Sequence, residues 1–151
     1  MKKMNNEQKE YLLLKIKSPK DVNFYSEHKA VIDQCGFVDF AKAGNSILKT
    51  ELLNAGDTIF IKESIANGGV LYAVTLKEVI EKGKEFPDYY NDLGFANVLW
   101  LRLSDIKTIE SKDFLDAYET RAGGAVESAL KSMSPNFYIR KRVKSERGCI
   151  S

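Results

Sequence analysis

Few side chains in this sequence are suited to covalent or metal chemistry. Among 151 residues there is one histidine, His28, and there are two cysteines, Cys35 and Cys149. Three such residues cannot assemble a Cys/His zinc site at the usual ligand spacing, and no carboxylate pattern carries a metal signature. A Ser-His-Asp triad would have to use His28, which no G-x-S-x-G nucleophile turn accompanies. Gly123-Gly124 belongs to no phosphate loop, since the chain contains neither G-x-x-x-x-G-K-[ST] nor G-x-G-x-x-G after a strand. Cys35 and Cys149 read as free cytoplasmic thiols, and Cys149, third from the end, makes no prenylation signal. These subtractions favour a binding domain with no metal and no cofactor.

Charge is distributed unevenly. The formal total is +2, yet residues 138–147 hold five basic side chains, Arg140, Lys141, Arg142, Lys144 and Arg147, against Glu146 alone. That stretch is suited to phosphate contacts, which add salt-sensitive affinity by counterion release. A solvated tail that aids solubility is the competing reading.

The elements that position such groups follow from periodicity. Apolar residues make up 44% and charged residues 29%, as in an ordinary globular protein, and no apolar run approaches the ~18 residues of a membrane span. The opening has only a four-residue apolar run, Tyr11 to Leu14, too short for a signal peptide, so a cytoplasmic protein is expected. Residues 1–10 read as a flexible tail, 11–144 as one domain and 145–151 as a polar tail. Tyr11 to Lys17 is a strand, stopped by Ser18-Pro19. Asp21 to Cys35 carries Val22, Tyr25, Lys29 and Ile32 at helical intervals, with Gly36 as a stop. Ser46 can cap a short helix containing Ile47, Leu48, Leu52 and Leu53. Thr58 to Lys62, and Val70, Tyr72, Val74 and Leu76, form two strands about the turn Asn67-Gly68-Gly69. Leu76 to Lys84 fits a bent strand or a helix, and Glu85 to Phe95 reads as a loop. Asn97 to Leu103, reaching Ile109, is another strand. Helices follow at Ser111 to Tyr118 and at Ala125 to Met133, then a last strand from Phe137 to Val143. This order lacks the alternation of a doubly wound sheet. It predicts an α+β fold: a small mixed, mostly antiparallel β-barrel with short helices over its openings.

The ordered series of segments resembles the EVE family, within the PUA-like superfamily of small barrels. The family's first strand reads roughly Y-W-L-x-K-S-E-P, and Tyr11-Leu-Leu-Leu-Lys15-Ile-Lys-Ser18-Pro19 is similar to it. Its G-V-R-N-Y-x-A-R-N-x-L stretch is matched by Gly36 to Leu48, its Gly-Asp turn by Gly56-Asp57, and its hairpin strand by Gly68 to Val74. The similarity covers roughly residues 11 to 110. Three positions depart from the pattern: Leu12 replaces the early Trp, Asp39-Phe40 the Arg-Asn pair, and Lys62-Glu63-Ser64 the aromatic-His-Ser ending.

The resemblance implies a pocket at one barrel mouth that receives a nucleobase, often modified and turned out of its strand. Such a pocket needs an aromatic face, amide or hydroxyl groups for the base edge, and basic residues for phosphates. Phe37 and Phe40, with Lys42, Asn45 and Ser46, form the best local group of this kind; Asn45 can read a base edge and Lys42 can reach a phosphate. The same residues can instead serve as core anchors and helix cap. Lys62 and Ser64 project toward a mouth from a strand end, with Glu63 read as an edge charge. Tyr89, beside Tyr90, is a lid candidate. Trp100 is a stacking platform or a core residue. Arg140, Lys141, Arg142 and Lys144 would hold phosphates. His28 reads as a partly exposed helix residue.

The expected function is a non-enzymatic module binding nucleic acid or a modified nucleotide. One alternative is a protein-interaction or inhibitor module of a phage or mobile element, with a protein partner. Another is an amidohydrolase of the related ASCH barrel acting on modified nucleosides, for which Lys49-Thr50-Glu51 supplies the residue types but poor geometry.

Overall fold

The structure is a computed structural model, described over residues 10–19, 21–43, 53–65, 68–92, 98–120, 123–126 and 136–142. Strand β1 (Glu10–Lys17) carries three consecutive leucines, Leu12, Leu13 and Leu14, all buried. Successive strand residues face opposite sides, so burial of all three requires cover on both faces of the sheet. Helix α1 (Phe24–Cys35) supplies one cover. The Asn23 side chain accepts a hydrogen bond from the Ser26 backbone N–H at 2.9 Å, and Gly36, at φ 85°, ends the helix by donating to the Ile32 carbonyl at 2.7 Å. Phe24, His28 and Ile32, spaced four apart, form its buried stripe.

Strand β2 (Val38–Ala43) follows, then β3 (Thr58–Ile65), β4 (Gly68–Ile80) and β5 (Val98–Ile109). The chain continues through α2 (Ser111–Ala117) and β6 (Tyr118–Thr120) to β7 (Asn136–Lys141). The seven strands make one sheet in the order β2-β5-β4-β3-β1-β7-β6. Pairing is antiparallel except between β1 and β3, where Leu14 lies opposite Ile61 and Ile16 opposite Glu63. The core has two parts. One, under α1, gathers Leu12, Leu14, Phe24, Phe40, Ile61, Tyr72, Val74 and Leu101; the other, under α2, gathers Leu13, Phe60, Leu71, Phe114, Val126 and Ile139.

The α+β class and the mostly antiparallel sheet agree with expectation. The closed barrel is not found: among the described residues the ladder ends at β2 on one side and β6 on the other. The sheet is nonetheless curled. Register shifts near Thr75, Leu76 and Glu78 bend β4 against β5, as bulges do. The C-terminal end of β1 and the strand β2, with three strands between them in the ladder, line the same cleft. Leu76 to Ile80 is strand, and Asp88–Asp92 is a single 3-10 turn within the expected loop. Strand β6 was not anticipated. The helix expected after Ser46 and most of that expected over Ala125 to Met133 lie outside the described residues.

An unpaired edge strand invites association, and β2 is covered instead. The Asp39 N–H donates to the Glu85 carbonyl at 2.7 Å, while the Asp39 carboxylate accepts from the Lys84 and Glu85 N–H groups at 2.7 and 3.0 Å. Arg102 grips the same carboxylate through Nε at 2.8 Å and Nη2 at 3.1 Å, and its guanidinium lies 4.1 Å from the Phe37 ring centre. Burial opposes ionisation of Asp39, yet these donors hold its carboxyl below the ordinary carboxylate value.

Candidate functional site

The cleft shared by β1 and β2 has a volume of about 220 Å³. Residues Lys15 to Pro19 form one wall and Phe40, Ala41 and Lys42 the facing one; Phe24 closes the floor, and Tyr89 and Tyr90 stand at the side. Strand alternation explains the grouping. Val38, Phe40 and Lys42 share the α1 face of β2, so Lys42 is drawn inward beside Phe40 and is only 8% exposed. Desolvation accordingly pushes its ammonium below the ordinary lysine value.

A buried network supports the side of the cleft. His28 Nδ1 lies 2.8 Å from the Phe24 carbonyl, which can only accept, so Nδ1 carries the proton. The other ring nitrogen, Nε2, therefore accepts from the Tyr90 hydroxyl at 2.5 Å. His28 is fully buried, and that burial pushes it down to about 4 despite its bond to Phe24. The expectation of a partly exposed His28 is thus corrected: its partner, Tyr90, arrives from 62 residues away. Glu63 is likewise not an edge charge. It is 4% exposed on the α1 face of β3 and accepts from the Tyr72 hydroxyl at 2.7 Å. The charges of Glu63 and Glu27 add to burial in pushing the Tyr89 hydroxyl far up, so it remains protonated.

Ser18 adds the least satisfied polar group. Its Oγ is sequestered from solvent and has no hydrogen-bond partner among the described residues. Such an atom loses free energy unless a ligand or water meets it.

Of the residues anticipated for a site, Phe40, Lys42 and Tyr89 come together here. Phe37 and Trp100 lie on the other side of the β2–β5 pair. Phe37 rests under Arg102, and Trp100 is half-buried against Phe86, ring centres 5.5 Å apart. Lys62 is half-buried in register with Lys15, and Ser64 is exposed; both alternate away from Glu63. Asn45, Ser46 and Lys144 lie outside the described residues, as do Lys49, Thr50 and Glu51. Arg140 pairs with Glu119 at 2.8 Å, Lys141 is exposed, and the Arg142 guanidinium lies 3.4 Å from the Leu115 carbonyl. Arg140 also sits opposite Glu10, at the end of β1 remote from the cleft. At ~3.3 Å per strand residue, that separates it from Lys15–Pro19 by roughly 20 Å.

Sequence reasoning missed Phe24, Ser18 and Glu63 as neighbours of the site. The period of two along Val38, Phe40 and Lys42 was a usable signal; the approach of β1 to β2 had none.

A second cavity, of about 390 Å³, lies on the α2 face and is walled mainly by Phe60, Ile109, Phe114 and Tyr118. Its charged residues, Lys107 and Asp113, are exposed, so it lacks the buried cation of the first. No helix among the described residues is long and apolar enough to cross a membrane. No protein-family model, curated protein or solved structure matches the chain.

Proposed function

We propose that this protein is a non-enzymatic binding module that holds a single nucleobase, free or extruded from nucleic acid, in the cleft between β1 and β2. The observation that carries the reading is one small cavity, bordered by Ser18, that combines aromatic walls with a buried lysine. Sites for drug-sized ligands typically measure ~300–1,000 Å³. A cavity of about 220 Å³ is suited to something smaller, such as one heterocycle. Phe24, Phe40 and Tyr90 are nearly closed to solvent and give the floor its rigidity, whereas Tyr89 is half-buried and can offer a ring face.

The state of His28 supports binding over catalysis. A general base needs a pKa near the working pH and reach to a substrate proton. With both ring nitrogens engaged and its pKa pushed down to about 4, His28 serves as a strut.

The PUA-like, EVE-like barrel belongs to the same proposal. The end of β1 and the strand β2 face each other across the cleft as two sides of a barrel mouth would. Phosphate contacts by Arg140, Lys141 and Arg142 would fall on nucleotides other than the one held, given the ~20 Å between them and the cleft.

Titration with mononucleotides and short single-stranded oligonucleotides, followed calorimetrically, tests the reading. Binding is expected, and Tyr89→Ala should weaken it by the ~1–3 kcal/mol that a base-stacking ring contributes. Absence of binding across the series, or full affinity in Tyr89→Ala, would overturn it.

A further inference from the structure

We propose that the cavity on the α2 face is a second binding site, which takes a small zwitterion with an aromatic side chain, the chemistry of a free aromatic amino acid. The juxtaposition that carries the inference is an aromatic hollow whose rim holds one cation and one anion. This cavity shares no lining residue with the β1–β2 cleft, so its ligand is independent of what the cleft holds.

Sheet register explains the hollow. Phe60 of β3 lies opposite Ala73 of β4, and Ala73 lies opposite Lys107 of β5, so the three form one row across the α2 face. A methyl group set between a ring and a long side chain leaves space beside α2. Aromatic rings enclose one side of that space. The Phe60 ring centre lies 5.1 Å from that of Phe114 and 4.9 Å from that of Tyr118, and Phe114 stacks on Tyr118 at 5.1 Å. Phe60 and Phe114 are only 3% and 2% exposed, so packing fixes them before any ligand arrives. At about 390 Å³ the cavity falls within the ~300–1,000 Å³ typical of small-molecule sites.

The rim supplies the polarity. Lys107 and Asp113 both border the cavity, and both are exposed. Exposed charges elsewhere on α2 pair locally, as Lys112 does with Asp116 at 3.5 Å. Among the described residues, Lys107 and Asp113 form no ion pair, either with each other or with a third group. An ammonium and a carboxylate held apart at one mouth match the carboxylate and ammonium of an α-amino acid, while the rings receive its side chain. A ligand of single charge would be attracted by one rim group and repelled by the other.

Titration of the isotope-labelled full chain, followed by NMR, separates ring from head with L-phenylalanine, L-alanine and N-acetyl-L-phenylalanine amide. L-Phenylalanine should give saturable shifts at Ala73, Lys107 and Ile109. L-Alanine keeps the head and loses the ring, and should bind about tenfold more weakly. The blocked amide keeps the ring and loses both charges, as a phenylalanine within a protein partner would. It should also bind about tenfold more weakly. Lys107→Met and Asp113→Asn should each weaken L-phenylalanine about threefold and leave the blocked amide unchanged. Both positions are exposed, so neither variant threatens the fold. Equal binding of the free amino acid and the blocked amide overturns the inference and points to a protein side chain as the occupant. Absence of cavity shifts with L-phenylalanine, or undiminished affinity in either variant, overturns it as well.

Discussion

Asp39 and His28 show how much a buried polar residue depends on its partners. Asp39 is fully buried with Arg102 on both carboxylate oxygens and two backbone donors. Replacing it by alanine strips Arg102 of its main partner, leaves those N–H groups unmatched and should destabilise the fold by about 3 kcal/mol, measurable by urea unfolding. Its folded pKa lies below its unfolded one, so its contribution is present above the ordinary carboxylate range and fades as pH falls through the folded value. His28 acts in a separate window. The unfolded chain protonates it near 6.5, whereas the folded protein keeps it neutral down to about 4. Between these values unfolding takes up a proton, so stability falls with falling pH, by ~3 kcal/mol across the window. Urea midpoints from pH 7 to 4 should show this slope, and His28→Gln should flatten it.

At the scale of elements, the segment from Glu81 to Asp92 clasps the edge strand β2 through Lys84 and Glu85, and Gly83 beside them packs against Trp100 of β5. A Cβ on Gly83 would fall within the indole of Trp100, a rigid ring unable to give way. Gly83→Ala should therefore cost about 1–3 kcal/mol through overpacking and shift Trp100 emission to longer wavelength as the segment lifts. An unchanged melting temperature and emission maximum would refute the clasp. Most elements here were legible in the sequence. Three adjacent leucines announced a strand covered on both faces, alternation announced β4 and β5, and Gly36 announced the end of α1. Strand β6 was not legible, since three residues, Tyr118 to Thr120, carry too little periodicity to register. The parallel pairing of β1 with β3 was hidden as well, because nothing local specifies which distant strand will lie alongside.

At the scale of the whole molecule, curvature of the sheet creates the site. Phe40 and Lys42 could be placed on one face from their spacing, but Ser18 and Phe24 join them only because the open sheet curls until β1 approaches β2. The same long-range packing misled the reading of Glu63 and His28. Charged or titratable residues are taken as exposed by default, and burial was secured here by the hydroxyls of Tyr72 and Tyr90. The basic run at the other end of β1 is engaged in the fold through Arg140 and Arg142, which pin β7 to β6 and α2. The molecule thus separates a compact base-sized cleft from its most basic strand. The most direct test of that cleft is an NMR titration of the isotope-labelled protein with uridine monophosphate. Saturable shifts centred on Ile16, Ser18, Lys42 and Tyr89 are expected. Shifts centred on Arg140 to Arg142 with the cleft resonances unmoved, or no shifts at all, would contradict that reading of the cleft.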